Sequence, residues 1–458
     1  MIKLCTMRFF SGIKHLCSGV SSYISKKGSP DWLAHNRAQW IRLCSRTSEI
    51  IKESNQDSMI LKHLILKIKS TGPISVAEYM REVLTNPVTG YYQHRDVLGP
   101  QGDFITSPEI SQIFGELLGV WCVSEWMAAG KPKTFQLVEL GPGRGTLASD
   151  ALRVFSQLHS VLKDSEISVH LVEVSPKLSE VQAQLLTEGE HHLLHDPNGA
   201  IYKTGTTKTG LPISWYKDLQ DVPKEFSFYI AHEFFDVLPI HKFQKTKHGW
   251  REILIDIEPN SPGKLRFVLA PHATLASKTL IQQRDDERDH IEICPEAGII
   301  VQNLATRITE DGGAALIADY GHNGTKTDTF RGFRGHQLHD VLTAPGTADL
   351  TADVDFSYLR QMTKCKVTSL GPIPQHEFLK NMGIDVRLQV LLRNASDPAT
   401  HTDLIDSYDV IMNPEKMGNR FKFFVLLPCN RLISSQDTKN MKRGPMTSPV
   451  AGFSELQL

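Results

Sequence analysis

The chain contains no run approaching the roughly 20 uninterrupted apolar residues that a membrane-spanning helix needs. Its richest stretch, Ile110 to Trp126, is broken by Gln112, Glu116, Ser124 and Glu125, and its apolar residues fall at helical spacing, which predicts core packing. Cysteine is sparse: seven in 458 residues, with no C-x-x-C pair. That usage excludes a disulfide framework, argues against a metal site, and fits structural thiols in a reduced compartment. Charge of neither sign dominates, the net being −1. The dinucleotide fingerprint G-x-G-x-x-G is also missing where it would be expected, in the main glycine cluster.

The small net charge hides an asymmetry. Residues 1 to 48 carry eight cations against the single acid Asp31, a balance of +7, which leaves −8 for the rest of the chain. Leu4, Phe9, Phe10, Ile13 and Leu16 lie between those charges and give an amphipathic face. A basic, acid-poor, Ser-containing leader of this kind predicts a mitochondrial import segment over 1–48, against the competing readings of a nucleic-acid arm or a free tail. The acidic remainder disfavours nonspecific nucleic-acid binding and suits a basic protein substrate.

What the chain does have is Phe135-Gln-Leu-Val-Glu-Leu-Gly-Pro-Gly-Arg-Gly-Thr146, an apolar strand running into three glycines spaced two apart. Gly141, Gly143 and Gly145 permit tight turns and close approach of a ligand to the backbone before the next helix. The preceding Glu139 would repel a diphosphate and suits a cationic, phosphate-free ligand such as S-adenosylmethionine. Taken alone, the glycines are equally accounted for by an ordinary strand-to-helix turn. The next unit shifts the balance, because strand 168–174 brings Glu173 to a strand tip, where a carboxylate can accept both ribose hydroxyls.

The alternation of elements predicts an α/β fold with a parallel sheet, its strands at 135–140, 168–174, 213–216, 226–231 and 313–319. A hairpin is expected over 250–257 and 264–270, and a last strand within 418–427. Residues 186–210 read as a surface loop. The chain after Tyr320 reads as irregular until the last strand, and the tail from about Arg431 as free. Helices are expected over 58–69 and 75–84, and Ser107-Pro108-Glu109 reads as a helix start capped by Ser107. The resulting organisation is an import segment 1–48, a helical extension 57–130, a catalytic domain with insertions 131–430 and a tail 431–458.

Candidate chemistry centres on Ala231-His-Glu-Phe-Phe-Asp-Val-Leu-Pro239, directly after a strand. Glu233 and Asp236 stand where open α/β sheets meet their ligands. Two carboxylates can grip a guanidinium and localise its charge so that one nitrogen attacks. The plainer alternatives are a helix cap for Asp236 and a structural ion pair for Glu233. Glu109 is a second assisting acid. Asp218 can accept from an adenine amino group beside Leu219, or stand as an exposed loop acid. His232 can act as a base, or as an ordinary hydrogen-bonded histidine. Asp319, Asp349, Asp353 and Asp355 add acids near strand ends, without a compact hard-cation ligand pattern.

Five motifs occur in a fixed order: Gly102-Asp-Phe-Ile-Thr-Ser-Pro-Glu-Ile-Ser-Gln112, Glu139-Leu-Gly-Pro-Gly-Arg-Gly-Thr146, Glu233-Phe-Phe-Asp-Val-Leu-Pro239, Ala318-Asp-Tyr-Gly321 and Asp349-Leu-Thr-Ala-Asp-Val-Asp-Phe356. In this the chain resembles the MidA family over residues 57 to 458. The resemblance implies a class I, Rossmann-like methyltransferase sheet with an N-terminal helical extension, S-adenosyl-L-methionine as methyl donor, and a location in the mitochondrial matrix. It further implies symmetric dimethylation of an arginine in an iron–sulfur core subunit of NADH:ubiquinone oxidoreductase, in support of complex I assembly. It assigns the glycine loop and Glu139 to the cofactor, Glu173 to ribose and the Glu233 region to substrate. His232 departs from the Asn common in bacterial members. A methyltransferase-fold assembly chaperone with little catalysis remains the rival reading.

Overall fold

The computed structural model describes residues 59–94, 105–188, 192–193, 199–281, 287–432 and 450–454. Contacts divide the chain between Met59 and Ile60, and the sheet, its helices and the candidate site all belong to the unit Ile60–Leu458. The import segment expected over 1–48 lies outside the described residues.

Eight strands carry the main sheet: β1 Thr134–Leu140, β2 Glu166–Val172, β3 Ile201–Thr206, β4 Pro212–Tyr216, β5 Ser227–His232, β6 Gly313–His322, β7 Val367–Pro374 and β8 Phe421–Pro428. They lie in the order β7-β8-β6-β5-β1-β2-β4-β3, with His192–Leu193 beyond β3 and Val354–Asp355 beside β6, making ten strands. The five central strands β6, β5, β1, β2 and β4 are mutually parallel, while β8 runs antiparallel to both β6 and β7.

Burial on both faces explains why these strands read as nearly continuous apolar runs. In β1, Phe135 and Leu137 enter one core while Val138 and Leu140 enter the other. Strand β5 splits likewise, Phe228 and Ile230 to one side, Tyr229 and Ala231 to the other. Five helices matter for the site: α1 Val76–Thr85, α2 Gln112–Ala128, α3 Thr146–Gln157, α4 Pro176–Leu186 and α5 Pro295–Asp311. The first face is covered by α2 and α3, and α5 covers the second.

A five-stranded antiparallel sheet joins Ile74–Ser75, Gly249–Ile257, His241–Thr246, His290–Ile293 and Leu265–Leu269. It contains the expected hairpin, and it packs with α1 and the helical run 60–71 around Ile60, Leu64, Tyr79 and Ile255. Helix α1 begins where Ser75 accepts the Glu78 N–H at 3.0 Å. Among the described residues no helix is long and apolar enough to cross a membrane.

Four expectations fail. The supposed loop 186–210 contains β3, an antiparallel strand near the sheet margin whose weak apolar content left no periodic signal. The stretch after Tyr320 holds a three-stranded sheet over Arg331–Arg334, Gln337–His339 and Asp349–Thr351, strand β7, and helices Phe356–Met362, Gln375–Asn381, Ile384–Asn394 and Pro398–Met412. The last two each bury one residue, Ile384 and Ile411, so their sequences carry little amphipathic contrast. The helix at 107 is capped by Thr106 rather than Ser107, because Glu109 stands three residues after Thr106 and reaches back to its N–H at 3.4 Å. Finally, residues 450–454 of the tail are held in the core: Val450 and Ala451 are buried, and Phe453 meets Phe378 edge-on at 5.7 Å.

Candidate active site

The carboxyl ends of β1, β2, β5 and β6 converge on one edge of the sheet. Beyond β1 the chain takes positive φ at Gly141, Gly143 and Gly145 (62°, 55° and 87°), and Gly145 leads into α3. A Cβ at Gly141 would lie 2.8 Å from Cδ2 of Phe234, so the glycine loop touches the segment that carries Glu233. Glu139 is buried under this loop, and its Oε2 has no partner among the described residues. Burial pushes its carboxyl up to about 8, against the opposing hydrogen bond from the Ala148 backbone. The incompletely bonded Glu139 carboxyl beneath this glycine loop suits a cationic group, which would favour its ionised form.

Glu173 directly follows β2, at the strand tip, and is buried. Its Oε1 accepts the Ser175 N–H at 2.7 Å and its Oε2 accepts Nε2 of Gln182 at 3.0 Å. Burial still pushes the carboxyl up to about 7. Gln182, on α4, also donates to the Gly143 carbonyl at 2.7 Å, a bond joining the loop to the acid. Sequence reading missed Gln182, since only its helical position aligns it with two distant motifs. Asp218 is exposed and accepts the Gln220 N–H at 2.8 Å, capping a short turn that begins at buried Leu219.

Glu233 leaves β5 with φ 48°, an unusual conformation for a non-glycine residue and one that concentrates at functional sites. Its N–H donates to the Ala318 carbonyl at 3.0 Å. Oδ2 of Asp319 then accepts the N–H groups of Phe234, Phe235 and Asp236 at 3.2, 2.9 and 3.3 Å. The helix-cap reading of Asp236 is therefore corrected: no helix follows, and Asp319 is the acid that binds the turn.

Glu233 Oε1 and Asp236 Oδ1 are buried and lack hydrogen-bond partners among the described residues. Burial raises both carboxyls well above their ordinary range; Asp236 adds to the shift of Glu233, and Asp319 and Asp349 to that of Asp236. The near group for Glu233 is His232, whose Nε2 lies 3.4 Å from Oε1. Burial pushes this imidazole down to about 3, so it stands neutral and forms no ion pair at physiological pH. The ion-pair reading of Glu233 fails on that account.

Asp349 receives the Tyr92 hydroxyl at 2.5 Å, and Asp353 is paired with Arg331 at 2.5 Å and with Lys326. Those cations hold the Asp353 carboxyl below its usual value despite burial. Glu109 is nearby but engaged: Oε1 lies 3.5 Å from Nε of Arg144 in the glycine loop, and Oε2 takes the Thr106 N–H. Among the described residues no group of His, Cys, Asp and Glu is arranged to hold a metal ion. The edge thus sets a glycine loop open to close ligand approach beside buried acids whose chemistry suits an organic cation.

Strand order β4-β2-β1-β5-β6-β8-β7 with β8 reversed, and a glycine loop at the end of β1, defines a class I S-adenosylmethionine-dependent methyltransferase. A family model described as a putative S-adenosyl-L-methionine-dependent methyltransferase matches residues 117–373. The chain is 65% identical over 418 residues to the rat mitochondrial protein arginine methyltransferase NDUFAF7, covering 91% of this chain and 95% of that one. It is 64% identical to the human protein of the same name, covering 88% and 91%, and 48% identical to the fruit-fly homologue, covering 82% and 86%. A crystal structure described as a likely methyl transferase from Burkholderia thailandensis, bound to S-adenosyl-homocysteine, shares the fold at a TM-score of 0.66. It is 23% identical and covers 82% of this chain and 93% of its own. The chain belongs to the NDUFAF7 family of S-adenosylmethionine-dependent methyltransferases.

Proposed function

We propose that the protein methylates arginine in a protein substrate within the mitochondrial matrix. The acceptor we assign is an iron–sulfur core subunit of NADH:ubiquinone oxidoreductase, symmetrically dimethylated as a step in complex I assembly, with residues 1–48 directing import. The observation that carries the reading is the pair of buried carboxyl oxygens without hydrogen-bond partners, Glu233 Oε1 and Asp236 Oδ1, beside the glycine loop. The rat and human relatives are protein arginine methyltransferases by name, which supports arginine as the acceptor.

In this assignment Glu139 and the glycines 141, 143 and 145 hold the amino-acid end of the cofactor, Glu173 its ribose and Asp218 its adenine. When bound, S-adenosylmethionine supplies an electrophilic methyl on a sulfonium that departs as a thioether. Glu233 and Asp236 bind and orient the guanidinium, whose positive charge offsets the cost of ionising two buried carboxyls. Asp319 keeps their backbone in place. Glu233, which burial biases towards its protonated form, takes up the proton that the nitrogen sheds after attack. Glu109, tied to Arg144, keeps the glycine loop against this edge.

Purified protein incubated with labelled S-adenosylmethionine and a mitochondrial extract should label an arginine identifiable by mass spectrometry. Glu233→Gln should bind cofactor normally and lose methylation by about 100-fold or more. Full arginine labelling by that variant would refute the assignment.

A further inference from the structure

We infer that Gln182 is the positioning residue that locks the glycine loop to the ribose-binding acid, so that both ends of the cofactor site are set by one side chain. The inference rests on the reading of Glu173 as that acid. Gln182 is fully buried on α4, and both its N–H groups and its carbonyl oxygen are engaged. Nε2 donates to the Gly143 carbonyl at 2.7 Å and to Glu173 Oε2 at 3.0 Å, while Oε1 accepts the indole N–H of Trp215 at 3.0 Å.

The orientation of this amide follows from chemistry. An indole nitrogen can only donate and a backbone carbonyl can only accept, so Oε1 must face Trp215 and the NH₂ must face Gly143. The second N–H is thereby aimed at Glu173. A carboxylate offers about four lone-pair sites. Ser175 N–H on Oε1, Gln182 on Oε2 and a further bond from the Val174 backbone fix the plane of the Glu173 carboxyl and leave lone-pair capacity for a ribose hydroxyl. Gln182 also packs directly on the loop, since a Cβ at Gly145 would stand 3.4 Å from its Cγ.

An apolar side chain of similar length would fill the same volume beside Ala183 and Leu186, so packing alone does not call for a glutamine. What the amide adds is a fixed separation between the Gly143 carbonyl and the carboxylate. A site held this way is formed before the ligand arrives, and affinity is gained by avoiding the cost of ordering it.

The test is calorimetric titration of the full chain with S-adenosylhomocysteine and with its 2′-deoxy analogue. Wild type should prefer the intact ribose. Gln182→Met should weaken S-adenosylhomocysteine by about 10- to 100-fold and bring the two ligands to nearly equal affinity, a change that lost packing would not produce. An unchanged preference for the intact ribose, or an affinity within about twofold of wild type, would overturn the role of Gln182. If Gln182→Met does not fold, Gln182→Asn, shorter by one methylene, is read in the same way. Glu173→Gln is titrated in parallel. Unaltered ribose preference there removes the ribose assignment itself, whereas loss there without loss in the Gln182 variant removes only the positioning role of Gln182.

Discussion

The hydroxyl of Tyr92 donates to Oδ1 of Asp349 at 2.5 Å, while the carbonyl of Tyr92 accepts Ser175 Oγ at 2.7 Å. Ser175 in turn donates its N–H to Glu173 at 2.7 Å. One residue from the segment ahead of the sheet therefore bridges the acid cluster and Glu173. Tyr92→Phe removes the hydroxyl and leaves the carbonyl in place. It should lower arginine labelling and reduce stability by about 1–3 kcal/mol, with S-adenosylhomocysteine affinity close to wild type. Equal losses in cofactor affinity and labelling would contradict this division.

Buried carboxyls give the ligand-free protein a particular pH response. Burial raises Glu139 and Asp319 to about 8, and Asp150 and Glu173 to about 7. Between the ordinary carboxyl range and these values the folded chain holds more protons than the unfolded chain, so stability falls as pH rises. His170 and His232, depressed to about 4 and about 3, act in the opposite sense but only below their ordinary value of 6.5. The melting temperature should therefore decline from pH 6.5 to 8.5. Glu139→Gln should flatten that decline while weakening cofactor binding. A melting temperature that climbs over this interval would show that the carboxyls are not held protonated.

Gly141→Val places a branched side chain at φ 62° with its Cβ 2.8 Å from the Phe234 ring. Cofactor binding and labelling should both disappear, with the fold retained by circular dichroism. In cells carrying only this variant, complex I should fail to assemble. Assembly that persists without cofactor binding would assign the biological role to the scaffold and not to methyl transfer.

Glu125 in α2 is buried and receives Nε and Nη2 of Arg431 at 2.9 and 3.2 Å, with the Ala451 N–H at 3.3 Å. These bonds fasten the chain end to the core helix. Arg431→Ala strips the charge partner from a buried carboxylate and should cost about 3–5 kcal/mol, read by denaturant unfolding. A loss below about 1 kcal/mol would mark the pair as a surface-like contact.

How much of this was legible in the sequence can be judged residue by residue. Strands β1, β2 and β5 stood out because parallel strands buried on two faces must be apolar throughout. Gly141, Gly143 and Gly145 were legible because few other residues adopt positive φ cheaply, and Glu173 because it ends the second strand. Strand β7, with Gly371-Pro372 inside it, fell within the stretch read as irregular, and the helices 384–394 and 398–412 were hidden because each buries a single residue. Thr106 was missed as a cap because Ser107 competed for the role, and the Glu109 contact that decides it depends on conformation.

By itself the sequence determined the α/β class, the order of the motifs and the family, all of which depend on local pattern and on residue types with narrow conformational or chemical uses. Only the tertiary structure decided which groups meet. Gln182 reaches Gly143 across 39 positions, Asp319 binds a turn 83 to 85 positions before it, and Tyr92 bonds Asp349 across 257. A buried polar group must find its partner wherever the packed chain brings one, and periodicity along the sequence carries no record of that distance.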